Sequence, residues 1–418
     1  MNSNRMSFRI PMALLLLLSL GACSTLPPVN HHYRNLQAGT AAHALAPFDE
    51  PVQMTVYYVT NRKRHSSRDS EPFYNPYLAT KPPVTFGTIQ AVVPRMEPMG
   101  GLRAFDVAQG AFEPGRGVKV LPPKCMSEAQ SNLSSHASAL TAMTTEAETP
   151  AFADLESYVA YVKSQNTHSK PILLYVHGFN NEFHFAVGRA ARFVHDMGGS
   201  EFFIPMIYSW PAYGSITAVT IDENNTGPSS VQLSHLLRLL MSGDNPSTVQ
   251  LVVHSMGTRV VSQALLRLSH DQAFVARVKE NKYLKDLIVT AGDMDALEFS
   301  QPEQVKAMTS LANRVSIYVC DHDVPLYGSM VLHSPPGREN RRPRIGQAGE
   351  NRTIISEANV ETIDATMVEL STENHAYLFE NRMVLDDVFM MLRHDLPAAK
   401  RNLLHARDGN DRFFLIRR

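Results

Sequence analysis

Residues 251–261 read LVVHSMGTRVV, an apolar run that ends in a serine and passes into a helical pattern after a glycine. Strands buried on both faces of a parallel sheet have continuous apolar runs of this kind. A serine at the end of such a strand is either the N-cap of the next helix or a nucleophile on a tight strand-to-helix turn. The rest of the sequence decides between these two interpretations of Ser255.

Apolar runs alternate with amphipathic segments from residue 154 onward. Such alternation is typical of βαβ units, in which helices cover both faces of a mostly parallel sheet. The predicted fold class is therefore α/β. Met54–Thr60 and Thr85–Val93 are rich in β-branched and aromatic residues and predict two earlier strands. The later strands are predicted at 171–178, 201–210, 248–255, 286–293, 314–321 and 359–366, and the helices at 154–165, 183–199, 231–243, 257–270 and 377–395.

Composition and charge limit the classes of function. The 418-residue chain has 39 basic and 40 acidic residues and a formal net charge of -1. That balance gives no field to attract a polyanion, so nucleic acid is not an expected partner. With 44% hydrophobic and 19% charged residues, the chain is long enough for one large domain with accessory segments.

The first residues have the features of a secretory signal. Two arginines precede the apolar run 11–20, which is short for a membrane-spanning helix. Leu20–Cys23 resembles the bacterial lipobox, whose cysteine is acylated and becomes the first residue of the mature protein. We therefore expect residues 1–22 to be a lipoprotein signal peptide and Cys23 to carry the lipid. An ordinary signal peptide with a chance cysteine is the alternative.

The remaining sequence predicts a simple domain organisation. Residues 23–50 are rich in proline, alanine and polar residues, as expected of a lipid-anchored tether. Residues 51–418 form the predicted α/β domain, with a mobile insertion of small polar residues at about 127–149. The expected location is the bacterial cell envelope. Ser24, rather than an aspartate, after the cysteine favours the outer membrane, with the domain facing the periplasm.

Two other cysteines are present, Cys125 and Cys320. An oxidising compartment permits a disulfide between them. Cys320 ends an apolar run, however, and a buried free thiol is the more typical state of such a residue.

Ser255 occupies the position of the nucleophile in the pattern G-x-S-x-G. The turn after such a serine is tight, so the residue two positions later must be small, and Gly257 meets this requirement. Val253 stands where the pattern has its first glycine, which is a departure from it. The helix that follows supplies free backbone N–H groups and a partial positive charge.

Two backbone N–H groups are candidates for an oxyanion hole. Met256 follows the serine directly, and Phe179 lies in the loop HGFNN after an earlier strand. Histidine-glycine at the end of that strand is typical of hydrolase oxyanion loops. We interpret His177 as a structural residue that holds this loop rather than as a catalytic group.

An acid is expected between the serine and the base, in the chain order Ser, Asp or Glu, His. Asp323 follows the predicted strand 314–321 and is the preferred candidate. Asp321 and Asp293 are alternatives, because each also follows a predicted strand.

The base is expected beyond the last strand of the sheet. His375 lies there, between the predicted strand 359–366 and the closing helix. His322 and His333 are alternatives, but both precede that strand.

Taken together, these motifs resemble a bacterial α/β-hydrolase family of unassigned substrate. The resemblance covers about residues 54–395, apart from the insertion, and implies the α/β-hydrolase fold and a serine hydrolase with Ser255, Asp323 and His375 as its triad. Asn61 stands where the family more often has aspartate. The segments that carry the resemblance are MTVYYVTNR, TFGTIQAVVP, LLYVHGFNNEF, MIYSWPAYGS, LVVHSMGTRVV, VTAGDMDALEF, VSIYVCDHDVPL and ENHAYLFEN.

Metal-dependent and nucleotide-dependent functions have weaker support in the sequence. His177, Glu182 and His184 lie close in sequence, but no HExxH or CxxC spacing marks a metal site, and no GxGxxG or P-loop marks a nucleotide site. No cofactor or metal is expected. Trp210 is either a wall of the acyl pocket or an ordinary packing residue, and residues 212–230 are interpreted as a loop that could cover the site.

The predicted function is a carboxylesterase that acts on small-molecule or lipid esters. A lysophospholipase or a peptidase is an alternative within the same chemistry. The alternative of another class is a catalytically silent envelope lipoprotein that uses the hydrolase fold as a binding module.

Overall fold

The computed structural model describes residues 51–64, 74–79, 83–93, 119–120, 124–125, 151–213, 218–337, 340–368, 374–409 and 411–416. The predicted signal peptide, Cys23, the tether and the insertion at 127–149 lie outside these residues. None of the described helices is both long and apolar enough to span a membrane.

A large sheet forms the centre of the fold. Its strand order is β13-β14-β12-β11-β10-β9-β7-β8-β1-β4-β5, and β6 pairs with β4. The seven strands from β12 to β1 in this order run parallel to one another. The strands are β1 Val52–Thr60, β2 Arg62–Arg64, β3 Tyr74–Leu78, β4 Thr85–Val93, β5 Lys119–Val120, β6 Lys124–Cys125, β7 Ile172–Val176, β8 Ile204–Ser209, β9 Val249–His254, β10 Leu284–Thr290, β11 Ala312–Val319, β12 Val360–Asp364, β13 Leu403–Asp408 and β14 Asp411–Ile416.

Helices cover both faces of this sheet. Residues of α2, α9 and α10 belong to the apolar core of one face, and residues of α1, α3, α4, α5 and α7 belong to that of the other. The predicted α/β class is confirmed. The helices are α1 Leu155–Ser164, α2 Phe183–Asp196, α3 Val219–Leu240, α4 Gly257–Ser269, α5 Gln272–Asn281, α6 Ala296–Phe299, α7 Pro302–Leu311, α8 Val324–His333, α9 Tyr377–Glu380 and α10 Arg382–His394.

The winding of the chain reverses at β7. From β7 the chain crosses to β8 on one side, and it later returns to β9 on the other side. Every residue of β7, β8 and β9 is buried, as the continuous apolar runs predict for strands covered on both faces. Ligands of doubly wound sheets bind at the carboxyl ends of the strands beside such a reversal. The loops after β7 and β9 therefore mark the site.

One predicted loop is a helix instead. The loop interpretation of residues 212–230 was wrong for residues 219–230, because α3 begins at Val219. Gly227 and Pro228, which disfavour a helix interior, lie within this helix, but tertiary hydrogen bonds hold the segment in place. The Tyr208 hydroxyl donates to the Ser229 carbonyl at 2.9 Å, and the Asn225 amide donates to the Pro211 carbonyl at 3.1 Å.

The end of the chain also differs from the prediction. The closing helix is divided at Asn381, whose side chain accepts hydrogen bonds from the first N–H groups of α10. Strand β12 is not the last strand, since the hairpin of β13 and β14 follows and β14 pairs with β12. Gly409 turns this hairpin with φ +58°. Charged residues interrupt the apolar pattern of both hairpin strands, which is why the sequence analysis missed them.

Candidate active site

Ser255 lies on a strained turn between β9 and α4. Its φ of +53° is in the left-handed region, which costs a residue with a side chain about 1–2 kcal/mol. The surrounding backbone holds the turn: Ser255 donates its N–H to Thr290 O at 3.0 Å, and its carbonyl accepts from the N–H of Asp293 at 3.1 Å. The residue in the N-cap position of α4 is Met256, and no side chain caps that helix. The N-cap interpretation of Ser255 is therefore wrong.

Two glycines allow the loops after β7 and β9 to approach each other. A Cβ at Gly257 would lie 2.5 Å from the His177 carbonyl oxygen, and a Cβ at Gly178 would lie 2.6 Å from Ser255 Cβ. Either contact is too short for a side chain. The sequence predicted the requirement at Gly257, but not the one at Gly178. Val253 is fully buried in β9, so valine is accommodated where the motif has glycine.

The loop His177–Asn181 faces the Ser255 turn. Asn180 has φ +55°, and the Asn181 side-chain amide donates to the Phe179 carbonyl at 2.6 Å. These features fix the orientation of the Phe179 peptide. The backbone N–H groups of Phe179 and Met256 form no hydrogen bond with any other described residue. Both remain available as donors.

Arg62 and His177 hold this loop through buried contacts. The buried Arg62 guanidinium donates to the carbonyls of Asn181 at 2.6 Å and Ala212 at 3.0 Å, and lies 3.2 Å from His177 Nε2. Burial and the neighbouring Arg62 charge keep the pKa of His177 well below its ordinary value, so the imidazole is neutral. These contacts confirm the interpretation of His177 as a structural residue.

Trp210 is a packing residue of the same support. Its ring is fully buried and stacks on His177 with centroids 5.4 Å apart, and its Nε1–H donates to the His177 carbonyl at 2.7 Å. Of the two interpretations of Trp210, these contacts favour the packing residue over a wall of the acyl pocket. Trp210 reaches the loop through its indole N–H rather than by lining a pocket.

Asp222 of α3 joins the loops after β7 and β8. Its carboxylate accepts from the Tyr213 N–H at 2.7 Å. Burial raises the pKa of Asp222 to about 7, although the backbone N–H groups of Tyr213 and Asn180 and the charge of Arg62 oppose this. The sequence analysis missed Asp222, since a lone acid in a predicted loop gives no signal. Arg62 stands in the segment MTVYYVTNR, which carries the family resemblance, but the sequence indicates no role for it.

Asp323 and His375 form a buried pair. His375 Nδ1 lies 2.9 Å from both carboxylate oxygens of Asp323. Asp323 follows β11, and its carboxylate also accepts from the Leu326 N–H at 2.9 Å as the N-cap of α8. Burial alone would lower the pKa of His375, but the Asp323 carboxylate outweighs burial and raises it.

The loop that carries His375 is fixed to the ends of β9, β10 and β11. His254 Nε2 lies 3.2 Å from the His375 carbonyl, and the two imidazole centroids are 4.8 Å apart. The Tyr377 hydroxyl accepts from the Ala291 N–H and donates to the Tyr318 carbonyl, both at 2.7 Å. Since His254 directly precedes Ser255, these contacts place His375 beside the serine turn. No hydrogen bond joins Ser255 Oγ to His375 or to any other described residue.

The alternative acids and bases have other neighbours. Asp293 is buried between Arg259 and Arg344, at 3.3 and 3.6 Å. His333 forms a short contact with Glu223. Asp321 and His322 are exposed. Among the four alternatives, none contacts His375 or Asp323 through a described hydrogen bond or ion pair.

The other residues considered from the sequence lie apart from this pair. Cys320 is a buried free thiol, as expected, and burial raises its pKa to about 12. His184 pairs with Glu182 at 3.7 Å, whereas His177 faces Arg62. The described residues include no group of three His, Cys, Asp or Glu side chains that could hold a metal ion.

Comparison with known proteins agrees with this architecture. A search of curated proteins finds no match. Among solved structures, the product of gene lin2722 from Listeria innocua matches at 10% identity and a TM-score of 0.29, over 54% of this chain and 94% of that one. A likeness of that strength supports no conclusion. The family model of an alpha/beta hydrolase of unknown function (DUF900) matches residues 155–391, which span α1 to α10. The chain therefore belongs to this family of alpha/beta hydrolases.

Proposed function

We propose that the protein is a serine hydrolase of carboxylic esters, with Ser255 as nucleophile, His375 as base and Asp323 as acid. The observation that carries this proposal is the buried Asp323–His375 pair at 2.9 Å, fixed at the same sheet edge as the strained Ser255 turn. A serine on such a turn, a histidine and a carboxylate that orients it are the three parts of acyl transfer.

The reaction proceeds in two steps. Ser255 Oγ attacks the ester carbonyl while its proton passes to His375 Nε2, and the N–H groups of Phe179 and Met256 donate to the oxyanion. His375 then gives the proton to the leaving alkoxide as the C–O bond breaks. Water deacylates the enzyme in the same manner, and its proton passes through His375 to the released Ser255. Asp323 accepts from His375 Nδ1–H throughout and stabilises the imidazolium.

The proposed location is the bacterial cell envelope, with lipid on Cys23. The features that support this are the arginines, the short apolar run and the lipobox-like Leu20–Cys23 at the start of the chain. Globomycin treatment tests it, because blocking the lipoprotein signal peptidase leaves the unprocessed precursor. A Cys23→Ala chain that is processed and released like the wild type would contradict the lipid anchor.

Labelling with a fluorophosphonate probe tests the chemistry. We expect the chain to be labelled and Ser255→Ala to lose the label. Ser329→Ala is a matched control, because Ser329 Oγ also lies near an imidazole, 3.4 Å from His333 Nδ1, and near a carboxylate, 2.6 Å from Asp293. Labelling that persists in Ser255→Ala and vanishes in Ser329→Ala would show that the nucleophile is Ser329 and would contradict the proposed triad.

Hydrolysis of esters of increasing acyl length, with a lysophospholipid and a peptide amide alongside, then defines the substrate class. A folded wild type with no labelling, and no hydrolysis above the Ser255→Ala background, would favour the silent binding module.

A further inference from the structure

Helix α8 has an apolar surface on its outer side. Leu326 and Met330 are buried beneath it, whereas Val324, Tyr327 and Leu332 are 39%, 48% and 57% exposed. The exposed residues follow the spacing i, i+3 and i+8, which places them on one side of a helix. The ten residues VPLYGSMVLH contain no lysine, arginine, aspartate or glutamate. Exposed helices of soluble proteins are ordinarily polar on this side, so the surface requires an explanation.

The inner side of α8 is fixed to the candidate active site. Asp323 caps its first turn, Ser329 Oγ donates to Asp293 at 2.6 Å, and His333 at its end contacts Glu223 of α3. The helix therefore lies along the carboxyl edge of the sheet, directly after the acid that faces His375. An apolar surface at this place is beside the site and not on a remote part of the fold.

Arginines lie next to the apolar residues. The Arg341 guanidinium carbon is 5.6 Å from the centroid of the Tyr327 ring, and the Nη2–H of Arg341 donates to the Tyr327 hydroxyl at 3.3 Å. Arg342 is half-exposed and pairs with Asp295 at 2.9 Å. Apolar residues beside basic ones are the pattern of helices that lie in the headgroup region of anionic bilayers. The exposed Asp321 lies at the other end, before the first turn of α8.

We propose that the outer side of α8, together with Arg341, is a docking surface for an anionic lipid bilayer. If Cys23 is acylated, residues 24–50 connect the lipid to β1, and a coil of that length spans about 30 Å. Strand β1 starts at the amino edge of the sheet, and its nine extended residues span about 30 Å to the carboxyl edge where α8 lies. The tether is therefore long enough to let α8 face the bilayer. Resting on the proposed function, the further consequence is that a lipid-borne ester reaches Ser255 directly from the bilayer.

Vesicle co-sedimentation tests the surface. The protein used is residues 24–418, which lacks Cys23 and therefore any acyl group, so that only the protein itself can bind, and it contains every described strand and helix. We expect sedimentation with vesicles of phosphatidylcholine and phosphatidylglycerol, and weaker sedimentation with phosphatidylcholine alone. In Tyr327→Ser/Leu332→Ser, partitioning falls about tenfold or more, because two apolar side chains no longer enter the bilayer.

Leu404→Ser is the control, since Leu404 is 44% exposed on the edge strand β13, three strands from β11 and outside α8. It leaves vesicle binding unchanged. No binding by the wild type, or equal binding by Tyr327→Ser/Leu332→Ser, overturns the docking surface. A wild-type dimer that becomes a monomer in this double variant, measured by light scattering, also overturns it and assigns the surface to a second copy of the chain.

Hydrolysis of a short, water-soluble ester without vesicles separates the two proposals. We expect Tyr327→Ser/Leu332→Ser to keep this rate, because neither residue belongs to the triad or the oxyanion loop. Vesicle binding without any hydrolysis retains the docking surface and rejects the esterase. Hydrolysis without vesicle binding retains the esterase and rejects the surface.

Discussion

Asp293 and Asp323 occupy equivalent places in the fold but have opposite surroundings. They follow the adjacent parallel strands β10 and β11, and both are buried. Burial raises the pKa of each carboxyl. At Asp293, Arg259 and Arg344 outweigh burial and hold the pKa below its ordinary value, whereas at Asp323 the His375 imidazole only partly offsets burial and the pKa is raised.

This difference shows why position alone does not identify a catalytic acid. The charge of Asp293 is already compensated by two cations, so it has little stabilisation left to give. Asp323 gains a cationic partner only when His375 takes up a proton. In the proposed mechanism, a carboxylate with that unmet interaction lowers the energy of the imidazolium formed during acyl transfer.

The largest expected effect separates the two acids by activity. Asp323→Asn lowers kcat/KM by about 10⁴, because the amide no longer stabilises the correct His375 tautomer and the imidazolium. Asp293→Asn is the matched variant and lowers kcat/KM by less than about tenfold, since no described hydrogen bond or ion pair joins Asp293 to His375. Ester hydrolysis by purified, folded variants measures both. Equal losses in the two variants would remove the distinction.

The next effect concerns stability. Arg259→Met leaves Asp293 and Glu223 without one of their cations and costs about 3 kcal/mol of unfolding free energy. Arg238→Met is the control, because the Arg238–Asp271 pair is 39% and 40% exposed and is expected to contribute less than about 1 kcal/mol. Denaturant titration compares them. If folded Arg259→Met instead loses its activity, the arginine cluster takes part in the chemistry.

A smaller effect tests how Tyr377 holds the loop of His375, the partner of Asp323. Tyr377→Phe leaves the Ala291 N–H and the Tyr318 carbonyl without their partner and costs about 1–3 kcal/mol. Because Tyr377 fixes the loop of His375, kcat falls as well. Tyr318→Phe removes a different buried hydroxyl, which donates to Asp387 at 2.6 Å, and should destabilise without a change in kcat. Parallel loss of kcat in both variants would argue against this positioning role.

The smallest effect is a shift of the pH profile. The base must be neutral, so kcat/KM rises with pH through an apparent pKa above 6.5, the ordinary value for histidine, because Asp323 raises the pKa of His375. Removing the negative charge in Asp323→Asn lowers that pKa and moves the remaining activity profile to lower pH. Asp293 also raises the pKa of His375, but less, so Asp293→Asn gives a smaller shift in the same direction. A shift to higher pH in either variant would be inconsistent with these charges.

Much of the fold follows from the sequence because its parallel strands are buried on both faces. Their apolar runs are short, rich in β-branched residues and bounded by turn residues, which favours strands over helices. All eight predicted strands are present with small changes at their ends. The errors lie where tertiary contacts override local signals. Residues 219–230 were interpreted as part of a loop and include the helix-disfavouring Gly227 and Pro228, yet they are helical and are held by hydrogen bonds from Tyr208 and Asn225.

The candidate site residues were predictable because they follow predicted strands, but their surroundings were not. Strand ends identify Ser255, Asp323 and His375 as residues of one sheet edge, and the structure brings the last two into contact. What surrounds a strand end depends on residues far away in the chain. Arg344 beside Asp293 and Asp222 beside Tyr213 gave no sequence signal. The sequence preferred Asp323 among the acids, but the different surroundings of Asp293 and Asp323 and the support of the oxyanion loop needed the structure.

The loop of His375 has a consequence for the order in which the protein becomes active. During synthesis the oxyanion loop, Ser255 and Asp323 all emerge before His375, and Tyr377, which fixes the base, emerges after it. A nascent or truncated chain that ends before residue 375 carries a nucleophile without a base. In the proposed mechanism the chain therefore stays inactive until about its last tenth has been made and has folded onto the sheet, and no separate inhibitory segment is needed before then.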